Sequence, residues 1–109
     1  MARYGKNKYG AKRVRIDGHT FHSKREAERY KELKLLQEAG EIRDLELQPR
    51  FSLRGEAGDH IGYYIADFRY REGENGVEII EDVKGYETEL FKWKKRHFEA
   101  DYRMRLRLT

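Results

Sequence analysis

Hydrophobic residues are concentrated in two stretches near the middle of the chain, Tyr63–Tyr70 and Val77–Lys84, which are separated by a short polar segment. Both stretches are rich in aromatic and β-branched residues, which favour strands. Gly73 and the Asn75-Gly76 pair lie between them, and such residues are typical of hairpin turns. The pattern therefore predicts two antiparallel strands that pair with each other.

Two carboxylates and a lysine, Asp67, Asp82 and Lys84, lie inside strands that otherwise look buried. Charged side chains are seldom buried without a partner or a metal ion. A two-residue turn at Asn75-Gly76 would pair Asp67 with Lys84, whereas a four-residue connection (73–76) would pair Asp67 with Asp82. Either turn puts all three side chains on one face of the sheet, and a three- or five-residue connection would separate them.

Residues 23–40 have the signature of a helix. Ser23 is a suitable N-cap, Glu26 follows at the capping-box spacing, and Gly40 is a suitable residue to end the helix. The inward stripe of this helix is predicted to contain Glu26, Tyr30, Leu33 and Gln37. Glu26 is therefore the carboxylate best placed to face a site, although the helix pattern alone favours a role confined to the capping box.

Several shorter patterns complete the prediction. They indicate a hairpin over Val14–Phe21 that turns at Asp17-Gly18, and strands over Glu41–Leu47 and Arg50–Leu53 that Gln48-Pro49 separates. A polar loop over Gly55–Gly62 follows, and a second helix is predicted over Glu87–Asp101. A last strand is predicted over Arg103–Thr109, with Met104, Leu106 and Leu108 facing inward. The apolar side of the second helix is predicted to contain Leu90, Phe91, Trp93, His97 and Phe98, with Lys94 between two of its phenylalanines. Helix, three strands, helix and strand in this order predict an α/β fold with a mixed sheet.

Composition narrows the class of protein. The chain has 109 residues, enough for one domain with a modest core, and its 13% of aromatic residues argues against disorder despite 40% charged residues. The absence of Cys excludes a disulfide framework or a thiolate metal site, and we expect a cytoplasmic protein. No apolar run is long enough to span a membrane, and the four His have no spacing that indicates zinc.

Positive charge is concentrated at the N-terminus. The net charge of +4 favours an anionic partner, and residues 1–16 contain no acidic residue but six basic ones, Arg3, Lys6, Lys8, Lys12, Arg13 and Arg15. This pattern predicts a flexible arm (1–16) that contacts DNA phosphates, ahead of a single domain (17–109) in which Lys24 contributes a further contact. A solubilising tail would show the same composition.

The order αβββαβ, with ADF (Asp67) in the second core strand and EDVKG (Asp82, Val83, Lys84) ending the third, resembles the PD-(D/E)xK nuclease superfamily. SKREAERYKELKLLQEAGEI, LQPRF, YIADF and EDVKG further resemble a family of small phage and prophage proteins of unknown function assigned to that superfamily, near its Holliday-junction-resolving and phage endonuclease I types. The resemblance covers Lys8–Tyr102. Asp-x-Lys alone is a weak signal, and Ala66 stands where the superfamily usually has Pro.

The resemblance implies a restriction-endonuclease-like core and a Mg²⁺-dependent endonuclease, with Mn²⁺ able to substitute, acting on branched phage DNA such as a four-way junction during recombination. It implies that Asp67, Asp82 and the Val83 carbonyl bind the metal, and that Glu26 binds a second ion or orients the water. Lys84 would position the water and stabilise the developing charge. A symmetric junction would call for a homodimer.

Purely structural interpretations remain open for most of these residues. Asp82 and Lys84 would also fit a solvated strand face, with Asp67 paired to Arg69 or Arg71. Gln48 is expected beside the site, or else serves only the turn, and Lys94 either reaches the site or extends its amine to solvent. The whole chain would also fit a noncatalytic DNA-binding or packaging accessory protein. An RNA-binding module is disfavoured, since no RNA-recognition sheet signature is present.

Overall fold

The computed structural model describes residues 13–84 and 86–109, which form two helices and eight strands. The helices are α1 (Lys24–Glu38) and α2 (Glu89–Tyr102). The strands are β1 (Val14–Ile16), β2 (His19–Phe21), β3 (Ile42–Leu47), β4 (Arg50–Arg54), β5 (His60–Ile65), β6 (Phe68–Glu72), β7 (Val77–Asp82) and β8 (Leu106–Leu108).

The central sheet has four strands in the order β3-β6-β7-β8. β6 is antiparallel to both β3 and β7, whereas β8 runs parallel to β7, so the sheet is mixed as predicted. Taken with the two helices, the elements α1, β3, β6, β7, α2 and β8 follow the predicted order αβββαβ. The prediction of an α/β fold is confirmed.

The connection between β6 and β7 contains four residues, 73–76. Glu72 pairs with Val77 and Phe68 with Glu81, which is the register of the longer of the two turns considered above. Gly73 and Gly76 have φ angles of +77° and +63°, which glycine adopts without steric cost. Continued by one residue, this register brings Asp67 opposite Asp82 instead of Lys84, and β7 ends at Asp82.

The single strand predicted over Tyr63–Tyr70 is wrong. The chain leaves one sheet and enters another at Ala66-Asp67, so β5 pairs with β4 in a separate hairpin while β6 joins the central sheet. The polar loop is shorter than predicted, because β5 begins at His60. Backbone hydrogen bonds from Ala66 N–H to the Pro49 carbonyl (3.1 Å) and from Gln48 N–H to the Asp67 carbonyl (2.9 Å) fix this crossing.

Helix α1 packs on one face of the central sheet. It begins after Ser23, whose Oγ accepts the Glu26 N–H at 3.1 Å, and ends before Gly40, which has a φ of +82°. Its buried residues are Glu26, Ala27, Tyr30 and Leu33, and the last three join a core with Phe21, Ile42, Phe68 and Tyr70. The predicted inward stripe of this helix is therefore confirmed for Glu26, Tyr30 and Leu33.

Helix α2 packs on the other side, against the β4–β5 hairpin. Phe98 is buried there with Phe51, Leu53 and Tyr64, and the sheet contributes Ile80 and Leu106. The predicted apolar side is wrong for Leu90 and Trp93, which are 62% and 44% exposed, because the surface beneath the helix is only a narrow two-stranded hairpin. Leu108, also predicted to face inward, is half-exposed at the edge of the sheet.

The N-terminal prediction divides at residue 13. Residues 1–12 of the predicted arm lie outside the described part of the chain. Val14–Ile16 is strand β1, paired with β2 about the Asp17-Gly18 turn, so the predicted hairpin over Val14–Phe21 is confirmed. Over residues 13–84 and 86–109, no helix combines the length and apolar character needed to cross a bilayer.

Candidate functional site

The chain brings three carboxylates together where β6 begins and β7 ends. Asp67 lies immediately before β6, Asp82 is the last residue of β7, and Glu26 lies in the first turn of α1. Glu26 and Asp82 are almost completely buried, at 6% and 1% exposure. Three separate elements thus converge on one acidic cluster, which we call the carboxylate cluster.

Asp67 and Asp82 are locked to each other through the backbone. The Asp67 N–H donates to Asp82 Oδ1 at 2.8 Å, and the Val83 N–H donates to Asp67 Oδ2 at 2.7 Å. The backbone ladder continues through this point, since Asp67 N–H also lies 3.1 Å from the Glu81 carbonyl oxygen. The two aspartates therefore have fixed positions in which one lone pair of each bonded oxygen remains for another partner.

Tyr64 is a site residue that the sequence reasoning missed. Its hydroxyl donates to Asp82 Oδ2, and the ring is buried in the core beneath α2. Burial, followed by the charge of Asp82, raises the pKa of the Tyr64 hydroxyl, so Tyr64 is a persistent donor. The segment YYIADF places Tyr64 three residues before Asp67, but the sequence gives no sign that the chain crosses from β5 to β6 there and that Tyr64 meets Asp82.

The environment of Asp82 disfavours its charged form. Burial, and then the negative charge of Asp67, raise the pKa of Asp82 from 3.8 to about 7, against the opposing effects of the Tyr64 hydrogen bond and the Lys84 charge. Burial and Asp67 act in the same way on Glu26, whose pKa rises from 4.5 to about 7. A shared site of like charges out of water is characteristic of functional carboxylates.

Glu26 serves the helix cap and the cluster at once. Its Oε1 accepts the His22 N–H at 3.1 Å, one residue before the N-cap, so the capping interpretation is correct as far as it goes. The same carboxyl is close enough to Asp67 and Lys84 for their charges to shift its pKa in opposite directions. The two interpretations of Glu26 are therefore compatible.

Lys84 lies beside the carboxylate cluster but is not in a salt bridge with it. Its Nζ is 4.3 Å from the centroid of the Phe91 ring, in a cation–π contact. Lys94 lines the same cleft as Lys84 and Phe91, so it is near the cluster's outer edge. The solvated-strand alternative is excluded for Asp82 by its burial.

Two other predicted positions are only partly at the site. Val83 donates its N–H to Asp67 and is packed against the α1 core, while the neighbouring Lys84 N–H bonds the Thr109 carbonyl at 3.1 Å. Gln48 touches the site-bearing segment through its backbone bond to Asp67, but it is exposed and lines a different cavity with His19 and Leu45. The turn interpretation of Gln48 accounts for this placement.

The arginines considered as partners for Asp67 are engaged elsewhere. Arg69 Nη2 lies 2.6 Å from Glu78 Oε2, and Arg71 Nη1 donates to the Gly76 carbonyl at 3.0 Å. Across residues 13–84 and 86–109, neither aspartate of the cluster nor Glu26 forms a salt bridge. Among the residues that the structure describes, the negative charge of the carboxylate cluster is therefore compensated only by hydrogen bonds and by the nearby Lys84.

Glu81, the residue before Asp82, was also missed. It is 0% exposed on the α1 face of the sheet. Arg29 donates two hydrogen bonds to it there, from Nε to Oε2 (2.6 Å) and from Nη2 to Oε1 (3.0 Å). The Tyr70 hydroxyl and Thr109 Oγ1 (2.9 Å) donate to the same carboxylate. The available signal was its place between Ile79 and Val83 in the strand alternation, which puts it on an inward face.

The donor set suits a hard divalent cation. Mg²⁺ takes oxygen ligands and binds through one or two protein carboxylates, and Asp67 and Asp82 offer two that are positioned together without a cation. In the described part of the chain, no three His, Cys, Asp or Glu side chains are already gathered in a ready-made metal cage. The fit therefore rests on the aspartate pair and the uncompensated charge around it.

The predicted DNA contacts are described only in part. Arg13, Arg15 and Lys24 are exposed, and Arg15 projects from β1. Arg3, Lys6, Lys8 and Lys12 lie outside the described residues.

Comparison with known families gives one match. The model of a family described as protein of unknown function (DUF1064) matches residues 6–109, nearly the whole chain, and the protein belongs to that family. Searches of curated proteins and of solved structures found no match.

Proposed function

We propose that this DUF1064 protein is a metal-dependent endonuclease that hydrolyses phosphodiester bonds of DNA. The observation that carries the proposal is the carboxylate cluster, in which half-buried Asp67 lies close to both buried Asp82 and buried Glu26, and none of the three forms a salt bridge among the described residues. Keeping such a cluster costs stability, and strongly shifted carboxyl groups in one place are most often functional. The PD-(D/E)xK resemblance of ADF and EDVKG points to the same chemistry.

In this proposal Asp67 and Asp82 hold the divalent ion, Mg²⁺ or Mn²⁺, with the Val83 carbonyl as a further ligand. A bound ion would lower the pKa of water and neutralise charge on the phosphate. Tyr64 keeps Asp82 oriented through its hydroxyl, and the Asp67 N–H does so on the other oxygen. Both oxygens of Asp82 are thus held in place before any ligand arrives.

Glu26 and Lys84 have complementary roles in the proposed reaction. Glu26, with a pKa near neutrality, orients the attacking water from the α1 side. Lys84 carries the cation nearest to the cluster and stabilises charge that develops on the phosphoryl oxygens. Its contact with Phe91 keeps the amine at the edge of the cleft, where a phosphate can reach it.

The substrate proposed is branched or otherwise structured phage DNA, such as a four-way junction, in the cytoplasm of a bacterial host. The family resemblance supports this choice, and the basic residues at the N-terminus and on β1 suit contacts with phosphates away from the cluster. Two symmetric cuts would require a homodimer, because each chain carries one cluster.

The experiment is a cleavage assay with single-stranded, duplex, flap and four-way-junction DNA in Mg²⁺, Mn²⁺ or EDTA. The wild type is expected to cut at least one structured substrate with either metal and none in EDTA. Asp82→Asn should lose cleavage while retaining DNA binding. Asp44→Asn is the matched control, since Asp44 is exposed on β3 and its left-handed backbone (φ +58°) tolerates Asn.

Cleavage that survives in EDTA, or that Asp82→Asn leaves intact, would refute the metal-dependent mechanism. DNA binding by the wild type without cleavage of any substrate would instead indicate the noncatalytic accessory role.

A further inference from the structure

A cleft of about 260 Å³ opens beside the carboxylate cluster, between strand β5 and helix α2. Two of its lining residues also belong to the site: Tyr64, which donates to Asp82, and Lys84. The cleft is therefore continuous with the carboxylate cluster. Its volume is below the roughly 300–1,000 Å³ typical of pockets for drug-sized ligands, so it suits a smaller planar group.

The walls of the cleft are apolar and unusually exposed. Tyr63 and Ile65 on the hairpin side are 45% and 57% exposed, and Leu90 on the helix side is 62% exposed. Each lies opposite or beside buried neighbours that the core already uses, so these side chains contribute nothing to either core cluster. Exposed apolar residues grouped around one cleft mark a binding site more often than isolated surface residues do.

The charged side chains that line the cleft are positive. Lys84 and Lys94 are the charged residues of its lining within the described chain, and no carboxylate lines it. Arg50 adds a third cation nearby, since its Cζ lies 4.3 Å from the centroid of the Tyr63 ring. Apolar walls with a cationic rim match a ligand that has a flat apolar part and an attached phosphate.

We propose that this cleft accepts an unpaired nucleotide of the DNA substrate. The base would lie between Tyr63, Ile65 and Leu90, and its phosphate would meet Lys84 and Lys94. The inference rests on the proposed endonuclease function and makes it more specific: DNA with unpaired nucleotides next to the cut is preferred over fully paired duplex. Base contacts of this kind are sequence-tolerant, because every base has an apolar face.

The test measures binding in EDTA, where hydrolysis plays no part. The probes are an oligo(dT) single strand carrying one fluorescent base analogue and a blunt duplex of equal length. The wild type is expected to bind the single strand about tenfold more tightly than the duplex, as one stacked base would give. The fluorescence of the base analogue should change on binding.

Leu90→Asp is expected to abolish that tenfold preference and the fluorescence change. The matched control is Leu35→Asp, because Leu35 is 65% exposed on α1 and does not line the cleft. Tyr63→Ala provides a second variant on the opposite wall, with the same expected loss of preference.

Equal wild-type affinity for the two probes would overturn the inference, and so would unchanged binding by Leu90→Asp. If Leu90→Asp changed the oligomeric state of the protein in solution but not its DNA binding, the apolar walls would instead contact a second copy of the chain, and the inference would be overturned. The single-strand preference without any Mg²⁺-dependent cleavage would uphold the cleft and refute the endonuclease. If Leu90→Asp bound the single strand normally while the wild type showed Mg²⁺-dependent cleavage, the endonuclease proposal would stand and the cleft would be refuted.

Discussion

Glu81 and Asp82 are neighbours in strand β7 and are both almost completely buried, but the two carboxylates face opposite sides of the sheet. Glu81 meets Arg29 in a two-point ion pair, with two hydroxyl donors completing its shell. Asp82 accepts hydrogen bonds from the Asp67 N–H and the Tyr64 hydroxyl, and within residues 13–84 and 86–109 it forms no salt bridge. The charge of Glu81 is therefore balanced by a salt bridge, whereas that of Asp82 is not balanced by one within the described residues.

Under the proposed function, this difference distinguishes a structural acid, Glu81, from a functional one, Asp82. A buried carboxylate with a matching guanidinium stabilises one arrangement of helix and sheet, because separating the pair would leave a bare charge. A buried carboxylate beside others of the same sign is costly until a cation arrives. Sequence position alone does not separate the two cases, since both acids belong to the same short segment EDVKG.

The largest effect on stability is expected from breaking the ion pair between Arg29 and Glu81. Arg29→Ala leaves Glu81 buried without its counter-ion and should lower the free energy of unfolding by roughly 2–4 kcal/mol, at the lower part of the range for buried pairs because Arg29 is 22% exposed. Urea denaturation measures this loss. Arg25→Ala, at an exposed position in the first turn of α1, is the control and should cost less than about 0.5 kcal/mol.

The double variant Arg29→Met with Glu81→Gln should recover much of that loss, because no buried charge is left unpaired. If Arg29→Ala were no worse than Arg25→Ala, the ion pair would not be what holds α1 to the strand, and the contrast between the two faces would lose one of its sides.

A smaller, pH-dependent effect on stability is expected from Asp82. Because the pKa of Asp82 rises from 3.8 to about 7 on folding, the folded state binds this proton more tightly than the unfolded chain. The resulting stability is fully present below about pH 4 and is lost as pH rises through 7. Glu26 behaves in the same way. The metal-free protein should therefore lose about 1–3 kcal/mol between pH 5 and pH 8.

Urea denaturation in EDTA at the two pH values measures this loss, and Asp82→Asn should remove most of it. Stability that rises over this interval, or a decrease that is the same in Asp82→Asn, would show that Asp82 is not the group held in an unfavourable charged state.

The smallest effects come from a matched pair of tyrosines. Tyr70→Phe removes a donor from Glu81 and should cost about 1 kcal/mol at pH 5 and pH 8 alike, since Glu81 keeps Arg29. Tyr64→Phe removes the donor that lowers the pKa of Asp82, so its cost should be concentrated at pH 8, where Asp82 is ionised. Thermal or urea unfolding of both variants at the two pH values would test this, and an identical pH dependence would argue against different environments.

Much of the fold was predictable because its signals are local. Ser23, Glu26 and Gly40 fix the ends of α1, and Asp17-Gly18 fixes the first turn. The crossing at Ala66-Asp67 was not predictable, because Tyr63–Tyr70 contains no Gly, Pro or Asn to mark a break and only the pairing of β5 with β4 divides it. The exposure of Leu90 and Trp93 has the same origin, since it depends on how wide a surface the hairpin offers to α2.

The candidate site was predictable in membership more than in geometry. Asp67, Asp82, Lys84 and Glu26 were identifiable as charges on inward-facing positions, and all four lie in one neighbourhood. Tyr64 and Arg29 were not, because each reaches its carboxylate from another element. The choice between two hairpin registers also depended on a loop length that Gly73 and Gly76 permit but do not dictate.

The most direct test of the account is a calorimetric titration of the metal-free protein with Mn²⁺ at pH 8. The account predicts binding by the wild type, a loss of about tenfold or more in affinity for Asp82→Asn, and little change for Glu81→Gln on the opposite face of the same strand. No binding by the wild type, or equal affinity in Asp82→Asn, would contradict the claim that Asp82 is buried with its charge uncompensated in order to hold a divalent ion.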